Sequence, residues 1–255
     1  MAGHFYKYHG TGNDFILVDN TKGDFIDQSA KRISELCHRN FGIGADGLIL
    51  IEVSSHADFK MVYFNADGHL GSMCGNGGRC ATHLAYDLGY VNHQGLFEGA
   101  DGLHKFRITS REVSISMGDV SEIKAVNQGL LVDTGSPHLI CFQDEIKDLD
   151  VATLGRKLRN EFAPEGVNVN FVCKNNGGFS MRTYERGVEA ETLSCGTGAT
   201  AAAIALMETA QVVTESISLE TLGGVLTVSC SREGSDYRDV WLTGPVIRVF
   251  KGEFQ

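Results

Sequence analysis

Short apolar runs bounded by Gly, Asn or Asp recur along the first half of the chain. Runs of this length with turn residues at both ends are typical of β-strands. They predict strands at residues 5–9, 15–19, 47–53, 59–65, 104–109 and 113–117, the last two forming a hairpin. A further apolar run at residues 246–252 predicts a C-terminal strand. The chain is therefore expected to be rich in strands.

Four segments have the pattern of a helix instead. Apolar residues at three- and four-residue spacing predict one helix over residues 29–40 and another over residues 151–162. Two more helix-like runs begin directly after Cys74 and Cys195, and the first should end near Gly89, because glycine commonly follows a helix C-terminus. Strands and helices together indicate an α+β protein.

The order of elements and motifs is repeated in the second half of the chain. Cys74-Gly75-Asn76-Gly77 recurs as Cys195-Gly196-Thr197-Gly198, 121 residues later. Four further matches occur in the same order at similar offsets, beginning at Thr11 and Thr134, Arg39 and Arg159, Gly102 and Gly224, and Gly118 and Gly244. Five ordered matches at nearly one offset predict a duplicated domain.

The duplication sets the expected domain boundaries. The N-terminal domain should span residues 1–120 and the C-terminal domain residues 121–243. The remaining residues, 244–255, are expected to return and complete the first domain as a strand. Ligand sites commonly form between such domains, so we expect the functional site there.

Composition and net charge limit the kinds of molecule that this protein is expected to bind. The chain has 255 residues and a net charge of −10, which argues against nonspecific binding of nucleic acid or an anionic membrane. Its N-terminus lacks the apolar core of a signal peptide, and no run approaches the ~18 apolar residues of a membrane span. Seven cysteines without a Cys-x-x-Cys pair are read as free thiols, with little support for a structural zinc site. We expect a cytoplasmic protein.

Two of the seven cysteines differ from the rest. Cys74 and Cys195 stand at predicted helix starts, whereas the other five lie in apolar segments and are expected to be inert. A thiol at a helix N-terminus lies beside unpaired backbone N–H groups, which favour negative charge. That setting lowers the pKa of a cysteine below its free value of about 8.5. Each domain should therefore carry one activated thiol.

A pair of equal thiols suits one kind of reaction. Inverting a stereocentre by proton transfer needs a base on one face of the carbon and an acid on the other, and the roles exchange in the reverse reaction. The two helix N-termini can also bind a carboxylate and stabilise a carbanion next to it. The pattern indicates amino-acid racemisation or epimerisation without a cofactor.

A set of five further motifs runs along most of the chain. In chain order they are Gly10-Thr11-Gly12-Asn13-Asp14-Phe15, Phe64-Asn65-Ala66-Asp67-Gly68, Met73-Cys74-Gly75-Asn76-Gly77-Gly78-Arg79-Cys80, Tyr184-Glu185-Arg186-Gly187 and Ser194-Cys195-Gly196-Thr197-Gly198-Ala199. Proline racemase-type enzymes share the cysteine pair, but they usually have His where Asn76 stands and lack the Glu-Arg-Gly element. As a set, the five motifs resemble those of the diaminopimelate epimerase family.

The resemblance implies a fold and an activity. The fold would be two pseudo-symmetric domains, each a mostly antiparallel, barrel-like sheet wrapped around a central helix. The activity would be interconversion of LL- and meso-2,6-diaminopimelate, for lysine and peptidoglycan precursor biosynthesis. It would use no pyridoxal phosphate and no metal, and the protein would be a homodimer.

The resemblance also implies roles for individual residues. Cys74 and Cys195 would be the acid/base pair, with His138 and Glu185 beside them in the catalytic site. Two further groups would bind the substrate: Gly75, Asn76, Gly196 and Thr197 at the reacting carboxylate, and Asn65, Asn168, Arg186 and Glu185 at the distal carboxylate and ammonium. Asn13 would line the same site.

Two departures and two alternative functions stay open. Many family members have Asn where this chain has Ser136, and some have Gln where it has Gly47. A related racemase could act on another amino acid, although proline-like substrates offer no distal charges for Glu185 and Arg186. A non-catalytic amino-acid-binding or redox-sensing protein could use the thiols as a switch.

Overall fold

The computed structural model describes residues 3–110, 112–175, 177–212 and 214–254. The first two residues, which belong to the segment without a signal-peptide pattern, and the last residue of the predicted segment 244–255 lie outside this range. The chain divides into two compact units, Met1–Ile115 with Gly244–Gln255 (unit 1) and Ser116–Thr243 (unit 2). Each unit combines a majority of strands with two helices among the described residues.

The elements have the following bounds. The first part of the chain forms β1 (His4–Gly10), β2 (Asn13–Asp19), α1 (Ala30–Cys37), β3 (Gly47–Glu52), β4 (Phe59–Asn65), α2 (Gly75–Asp87), β5 (Gln94–Gly99), β6 (Gly102–Ile108) and β7 (Glu112–Ser116). The second part forms β8 (Ile123–Val126), β9 (Gly129–Asp133), β10 (Pro137–Phe142), α3 (Val151–Asn160), β11 (Asn168–Asn175), β12 (Gly178–Glu185), β13 (Ala190–Thr192), α4 (Gly196–Glu208), β14 (Ser216–Thr221), β15 (Gly224–Glu233), β16 (Asp236–Pro245) and β17 (Ile247–Glu253).

The predicted strands are confirmed, and the ends of each lie within two residues of the prediction. The hairpin of β6 and β7 is confirmed by their antiparallel pairing. Helix α2 ends at Asp87, and Gly89 has φ +77°, which confirms the predicted glycine stop. The apolar runs thus locate the strands correctly because turn residues bound them on both sides.

Helix α1 is shorter than the predicted range 29–40. Ser29 caps its start by accepting from the backbone N–H of Arg32, but the helix ends at Cys37 because His38 is extended. The following loop folds back, and its backbone N–H groups at Ile43 and Gly44 donate to the carbonyl of Leu36. These tertiary hydrogen bonds satisfy the last carbonyls in place of another helical turn.

The two units pair their strands in the same order. In unit 1, β1 to β7 pair in succession, with β2–β3 and β4–β5 parallel and the other pairs antiparallel. In unit 2, β9, β10, β11, β12, β14, β15 and β16 repeat this order, with β10–β11 and β12–β14 parallel. The two units therefore share one topology, as a duplication requires.

One additional strand extends the strand series of each unit. β17 pairs antiparallel with β1, and β8 pairs antiparallel with β9. β8 follows β7, the last strand of the unit 1 series, yet it belongs to unit 2, whereas β17 follows β16 and belongs to unit 1. The strand that completes each unit thus comes from the segment that directly follows the strand series of the other unit.

Each unit has one helix buried by its sheet and one packed on the opposite face. In α4, every residue from Ala199 to Leu206 is fully buried, and α2 is buried over most of its length. In unit 2, α3 packs against Val169, Phe171 and Cys173 of β11. The α+β class with sheets wrapped around central helices is confirmed. None of the described helices is long and apolar enough to cross a membrane.

Side-chain alternation assigns polar residues to the α4 side of β11. Successive strand residues point to opposite faces, so Asn168 and Asn170 lie opposite the face that packs on α3. His138 pairs with Asn168 in the neighbouring strand, and Leu139 belongs to the cluster under α3. His138, Asn168 and Asn170 therefore share the face that is turned toward the cysteine-bearing helix.

Candidate active site

Cys74 is the N-cap of α2. Its backbone is extended (φ −115°, ψ 115°), and its sulfur accepts a hydrogen bond from the N–H of Gly77 at 3.4 Å. The helix begins at Gly75, so the N–H groups of the first turn have no partner within the helix. The sulfur therefore lies at the positive end of the helix dipole, where a thiolate is stabilised.

Cys195 repeats this geometry at the start of α4. Its backbone is again extended (φ −129°, ψ 116°), and its sulfur accepts from the N–H of Gly198 at 3.4 Å. The hydroxyl of Thr197 lies 3.4 Å from the same sulfur. The predicted placement of both cysteines at helix starts is confirmed, and both are free thiols.

The other five cysteines are not N-caps of the described helices. They are free and, like Cys195 but unlike the half-buried Cys74, they are buried, namely Cys37, Cys80, Cys141, Cys173 and Cys230. Burial raises the pKa of Cys37 and Cys230 to about 11 and that of Cys141 to about 12. Their thiols stay protonated at neutral pH, in agreement with the prediction that they are inert.

An asparagine lies beside Cys74, and its orientation is fixed. Asn13 donates from Nδ2 to Asp46 at 2.7 Å, and a carboxylate only accepts hydrogen bonds. Its Oδ1 therefore faces the site, where it accepts from Asn76 Nδ2 at 3.3 Å and from Cys74 Sγ at 3.6 Å. Asp46 is held in turn by Arg39 at 2.6 Å. The structure brings Asn13, Cys74 and Asn76 together in unit 1.

His138 lies on the Cys195 side, in contact with Asn170. A Cβ built at Gly198 would lie 2.4 Å from Asn170 Oδ1 and 3.3 Å from Cys195 Sγ. The Asn170 amide therefore reaches the first turn of α4, next to the cysteine. Its Oδ1 also accepts from the hydroxyl of Thr183 at 2.9 Å.

The Asn170 amide determines the tautomer of His138. Its Nδ2 faces the carbonyl of Leu139 at 3.4 Å, which can only accept, and the same Nδ2 lies 3.0 Å from His138 Nδ1. His138 Nδ1 is therefore an acceptor, and the imidazole hydrogen lies on Nε2. Burial, with a smaller effect of the nearby Arg186 guanidinium, lowers the pKa of His138 to about 3. His138 is a neutral side chain whose Nε2–H has no hydrogen-bond partner among the described residues.

Asn168 and Arg186 meet at the start of β11. Asn168 donates from Nδ2 to the Ser136 hydroxyl at 2.9 Å, and its Oδ1 accepts from the backbone N–H of Arg186 at 2.9 Å. The Arg186 guanidinium donates to the same hydroxyl at 3.4 Å. Within the described ranges, this guanidinium has no carboxylate within 4.0 Å. A planar, uncompensated guanidinium of this kind suits a bound carboxylate.

Asn65 and Glu185 occupy matching places in the two units. Asn65 is the last residue of β4, and Glu185 is the last residue of β12, the equivalent strand of unit 2. Both are half-buried. Gly75 and Gly196 match in the same way as the first residues of their helices. Thr197 is fixed because its carbonyl accepts from Thr134 at 3.1 Å.

Comparison with known proteins identifies the family. The pattern of the family described as diaminopimelate epimerase matches residues 5–123 and 130–249. The diaminopimelate epimerase of Flavobacterium psychrophilum is 45% identical, over 96% of this chain and 98% of its own length. The chain belongs to the diaminopimelate epimerase family. The diaminopimelate epimerase of Chlorobaculum tepidum is 39% identical, over 95% of this chain and 98% of its own.

Solved structures show how widely the fold of this epimerase family is shared. A Bacillus anthracis phenazine biosynthesis protein of the PhzF family has a TM-score of 0.80 at 13% identity, over 100% of this chain and 99% of its own. A hydroxyproline epimerase from Agrobacterium vitis has a TM-score of 0.73 at 15% identity, over 99% of this chain and 92% of its own. At such low identities the likeness shows the fold alone.

Three further residues hold side chains of the candidate site in place. Asp46 orients Asn13, Asn170 orients His138, and Arg79 contacts Asn76. Arg79 lies inside the motif that carries the family resemblance, and Asn170 follows Asn168 on the same face of β11. Period-two alternation was thus the available signal for Asn170. In the described part of the chain, no group of three His, Cys, Asp or Glu residues is placed to hold a metal.

Two equivalent glycines should respond differently to alanine. At Gly198 the new Cβ would lie 2.4 Å from Asn170 Oδ1, which is pinned by its hydrogen bonds, whereas at Gly77 it would lie 3.0 and 3.1 Å from the flexible ends of Ile49 and Met61. We expect Gly198→Ala to lower the free energy of unfolding by about 1–3 kcal/mol. Gly77→Ala should change it by less than about 1 kcal/mol, since better helix propensity offsets the tighter packing. Urea unfolding of both variants measures the difference, and equal losses would contradict the assigned role of Asn170.

Proposed function

We propose that this chain interconverts LL- and meso-2,6-diaminopimelate by cofactor-independent proton transfer at the α carbon, as a diaminopimelate epimerase. The observation that carries the proposal is the pair of cysteines with the same N-cap geometry in two units of one topology, in a chain of this family. Such chemistry needs two equivalent groups, and these are the two thiols that the duplication places at helix starts.

The proton transfer uses the two cysteines in opposite roles. In the proposed mechanism the thiolate of one cysteine removes the α proton, and the thiol of the other delivers a proton to the opposite face of the carbon. The reverse reaction exchanges the roles. After each turnover the first cysteine is a thiol and the second is a thiolate, so the free enzyme must redistribute one proton between them. The N–H groups of Gly77 and Gly198 support the thiolate form of either sulfur.

The reacting carboxylate is bound at the helix starts. We assign this role to Gly75 and Asn76 at α2 and to Gly196 and Thr197 at α4, through backbone N–H groups with no helical partner. Removal of the α proton spreads negative charge into this carboxylate. Fixed N–H dipoles aimed at that charge stabilise the transition state more than the ground state.

The far end of the substrate provides selectivity. We assign its carboxylate to Arg186, Asn168 and Asn65, and its ammonium to Glu185. The uncompensated guanidinium of Arg186, fixed through Ser136 and Asn168, supports this assignment. Because Asn168 Oδ1 accepts from the Arg186 backbone, loss of either residue should disturb the other. Ser136, which replaces the usual Asn, acts as a support for both residues.

Neutral His138 takes part as a hydrogen-bond donor. Its pKa of about 3 and its fixed tautomer rule it out as a general base at neutral pH. Its Nε2–H is available to an acceptor that arises in the site, such as the thiolate of Cys195. We propose that His138 adjusts the ionisation of the Cys195 thiol in this way.

The decisive experiment is incubation of the purified protein with LL-diaminopimelate in deuterated water. We expect the meso isomer to form with one deuterium at the inverted carbon. In initial turnovers the recovered LL substrate should contain little deuterium, because the cysteine that removes its proton can return that same proton. Chiral chromatography with mass spectrometry separates and weighs the isomers.

The alternative functions predict other outcomes. Inversion of proline or hydroxyproline, with no reaction of diaminopimelate, would indicate a racemase of a different substrate class. Absence of α-proton exchange in all of these amino acids, with reversible disulfide formation, would indicate a redox-sensing protein. Either result would overturn the proposal.

The setting of the reaction is also proposed from the family resemblance. We propose that the enzyme acts in the cytoplasm as a homodimer. Its substrate is a small molecule, and it binds neither nucleic acid nor a membrane. Sedimentation equilibrium at micromolar concentration tests the dimer, which should have twice the 27.6 kDa mass of the chain.

A further inference from the structure

Arg79 is the largest side chain that is fully buried in the described protein. It lies in the second turn of α2, five residues after Cys74. Removing a guanidinium from water is costly unless an anion compensates its charge. A buried arginine therefore needs an explanation in its surroundings.

The hydrogen-bond partners of Arg79 are neutral. Its Nη2 donates to Asn76 Oδ1 at 2.8 Å and to Thr11 Oγ1 at 3.4 Å, and its Nη1 donates to the Gly75 carbonyl at 3.3 Å. Nε is buried without a hydrogen-bond partner. No carboxylate of the described residues lies within 4.0 Å of the guanidinium. The charge of Arg79 is thus not compensated by an ion pair in the described chain.

Arg79 nevertheless keeps its charge. Burial lowers its pKa to about 10, and negative charge on Cys80, Cys74 or Glu112 acts in the opposite direction. Cys80 is fully buried, and burial raises its pKa far above neutral, so it stays a thiol. Of the two cysteines, Cys74 is the one that the proposed reaction makes negative.

Unit 2 shows that the helix start does not require an arginine. Thr200 stands five residues after Cys195, as Arg79 stands five residues after Cys74. The Thr200 hydroxyl donates to the Gly196 carbonyl at 3.0 Å, which matches the contact of Arg79 with Gly75. Cys195 forms the same N-cap without a buried cation. The guanidinium is therefore an addition to one of two otherwise equivalent sites.

We propose that Arg79 is a positioning residue that orients the Asn76 amide and supplies a buried positive charge for the anions at Cys74, the thiolate and the reacting carboxylate. Because a guanidinium only donates, its bond to Asn76 Oδ1 turns Nδ2 of that amide toward Asn13 and the site. The uncompensated charge attracts the anions that appear during turnover. The part of this inference that concerns the carboxylate rests on the proposed function, and the part that concerns the thiolate does not.

The test measures alkylation of each cysteine by iodoacetamide at pH 7, with peptide mapping to separate Cys74 from Cys195. In Arg79→Met the alkylation rate of Cys74 should fall at least about tenfold, because the thiolate loses its neighbouring charge. The rate of Cys195 should change less than about twofold, and Cys195 therefore serves as the internal control. Thr200→Val is the matched variant in unit 2 and should leave alkylation of Cys74 unchanged.

Arg79→Lys separates charge from orientation. It keeps the positive charge but loses the planar fork. We expect Cys74 alkylation within about threefold of wild type, and a fall of about tenfold or more in kcat/KM for diaminopimelate because the Asn76 amide is no longer fixed. This variant also decides the matter if Arg79→Met does not fold.

Three results would overturn the inference: wild-type alkylation of Cys74 in Arg79→Met, equal losses at both cysteines, or loss of Cys74 alkylation in folded Arg79→Lys. Circular dichroism and the thermal unfolding midpoint establish that a variant is folded. Alkylation needs no substrate, so these results stand apart from the deuterium experiment. A protein inactive on diaminopimelate that still loses Cys74 reactivity in Arg79→Met would refute the proposed function and leave the charge role of Arg79 intact.

Discussion

Replacing either Cys74 or Cys195 by alanine should lower the rate of epimerisation at least about 10³-fold, the upper range for loss of a positioned general acid or base. Inversion needs both groups, because one removes the proton and the other delivers it to the opposite face. Each single variant should therefore lose as much activity as the double variant. Such equal losses are typical of residues that act as a unit.

The single variants should differ from the double variant in a second measurement. A single remaining cysteine can still remove and return a proton on its own face. We expect slow α-proton exchange with solvent, without inversion, of the one stereoisomer that this cysteine serves. NMR in deuterated water follows the exchange, and comparison of the two variants assigns each cysteine to a stereoisomer.

Cys80→Ala is the matched control for this experiment. Cys80 lies in the same helix as Cys74, but it is fully buried and stays protonated. Its replacement should change kcat less than about threefold, while stability falls by about 1 kcal/mol through lost packing. Wild-type epimerisation in Cys74→Ala or Cys195→Ala would refute the two-base mechanism.

Arg186→Met should lower kcat/KM for LL-diaminopimelate by about 10²- to 10³-fold, because a charged hydrogen-bond donor to the distal carboxylate is lost. The deficit should lie mainly in KM, since the distal carboxylate does not change charge during the reaction. Arg186→Lys should recover only part of the loss, as an ammonium cannot bind a carboxylate with two parallel bonds. Initial-rate kinetics with the three proteins measure the series.

Two comparisons make the Arg186 result specific. Arg238→Met removes an exposed arginine paired with Asp119, and it should leave both kinetic constants unchanged. A substrate analogue without the distal carboxylate should react poorly and equally with wild type and Arg186→Met. If the analogue discriminates between them as strongly as diaminopimelate does, Arg186 does not bind the distal carboxylate.

Most of the fold could be predicted from local patterns. Strand β4 follows Asp58 and ends at Asn65, and its apolar run ends where the strand ends. The early end of α1 could not be predicted in this way. The loop that follows places its own N–H groups on the carbonyl of Leu36, a contact that depends on the tertiary path of the chain.

The residues of the candidate site also fall into two groups, those that local patterns predict and those that depend on the tertiary structure. Cys74 and Cys195 could be found because the capping motif is local and occurs twice. The partners that orient the site are distant in sequence: Asp46 lies in the loop between α1 and β3, 33 residues from Asn13, and Asn170 reaches His138 through the pairing of β10 with β11. Asn65 and Glu185 lie in motifs that differ in sequence, yet they end equivalent strands. Their equivalence follows from the pairing of the strands, which cannot be seen in the sequence.

The exchanged strands β8 and β17 bear on the origin of the chain. Each unit is completed by the strand that follows the strand series of the other unit. This is the topology of a domain-swapped dimer. If a gene for one unit duplicated and fused, its ancestor was a self-complementary protein that assembled from two identical chains. In that ancestor every residue occurred twice, so a buried cation beside one cysteine entailed another beside the second. After fusion the two copies could diverge. The alignment of the repeats pairs Arg79 with Thr200, which is one such difference.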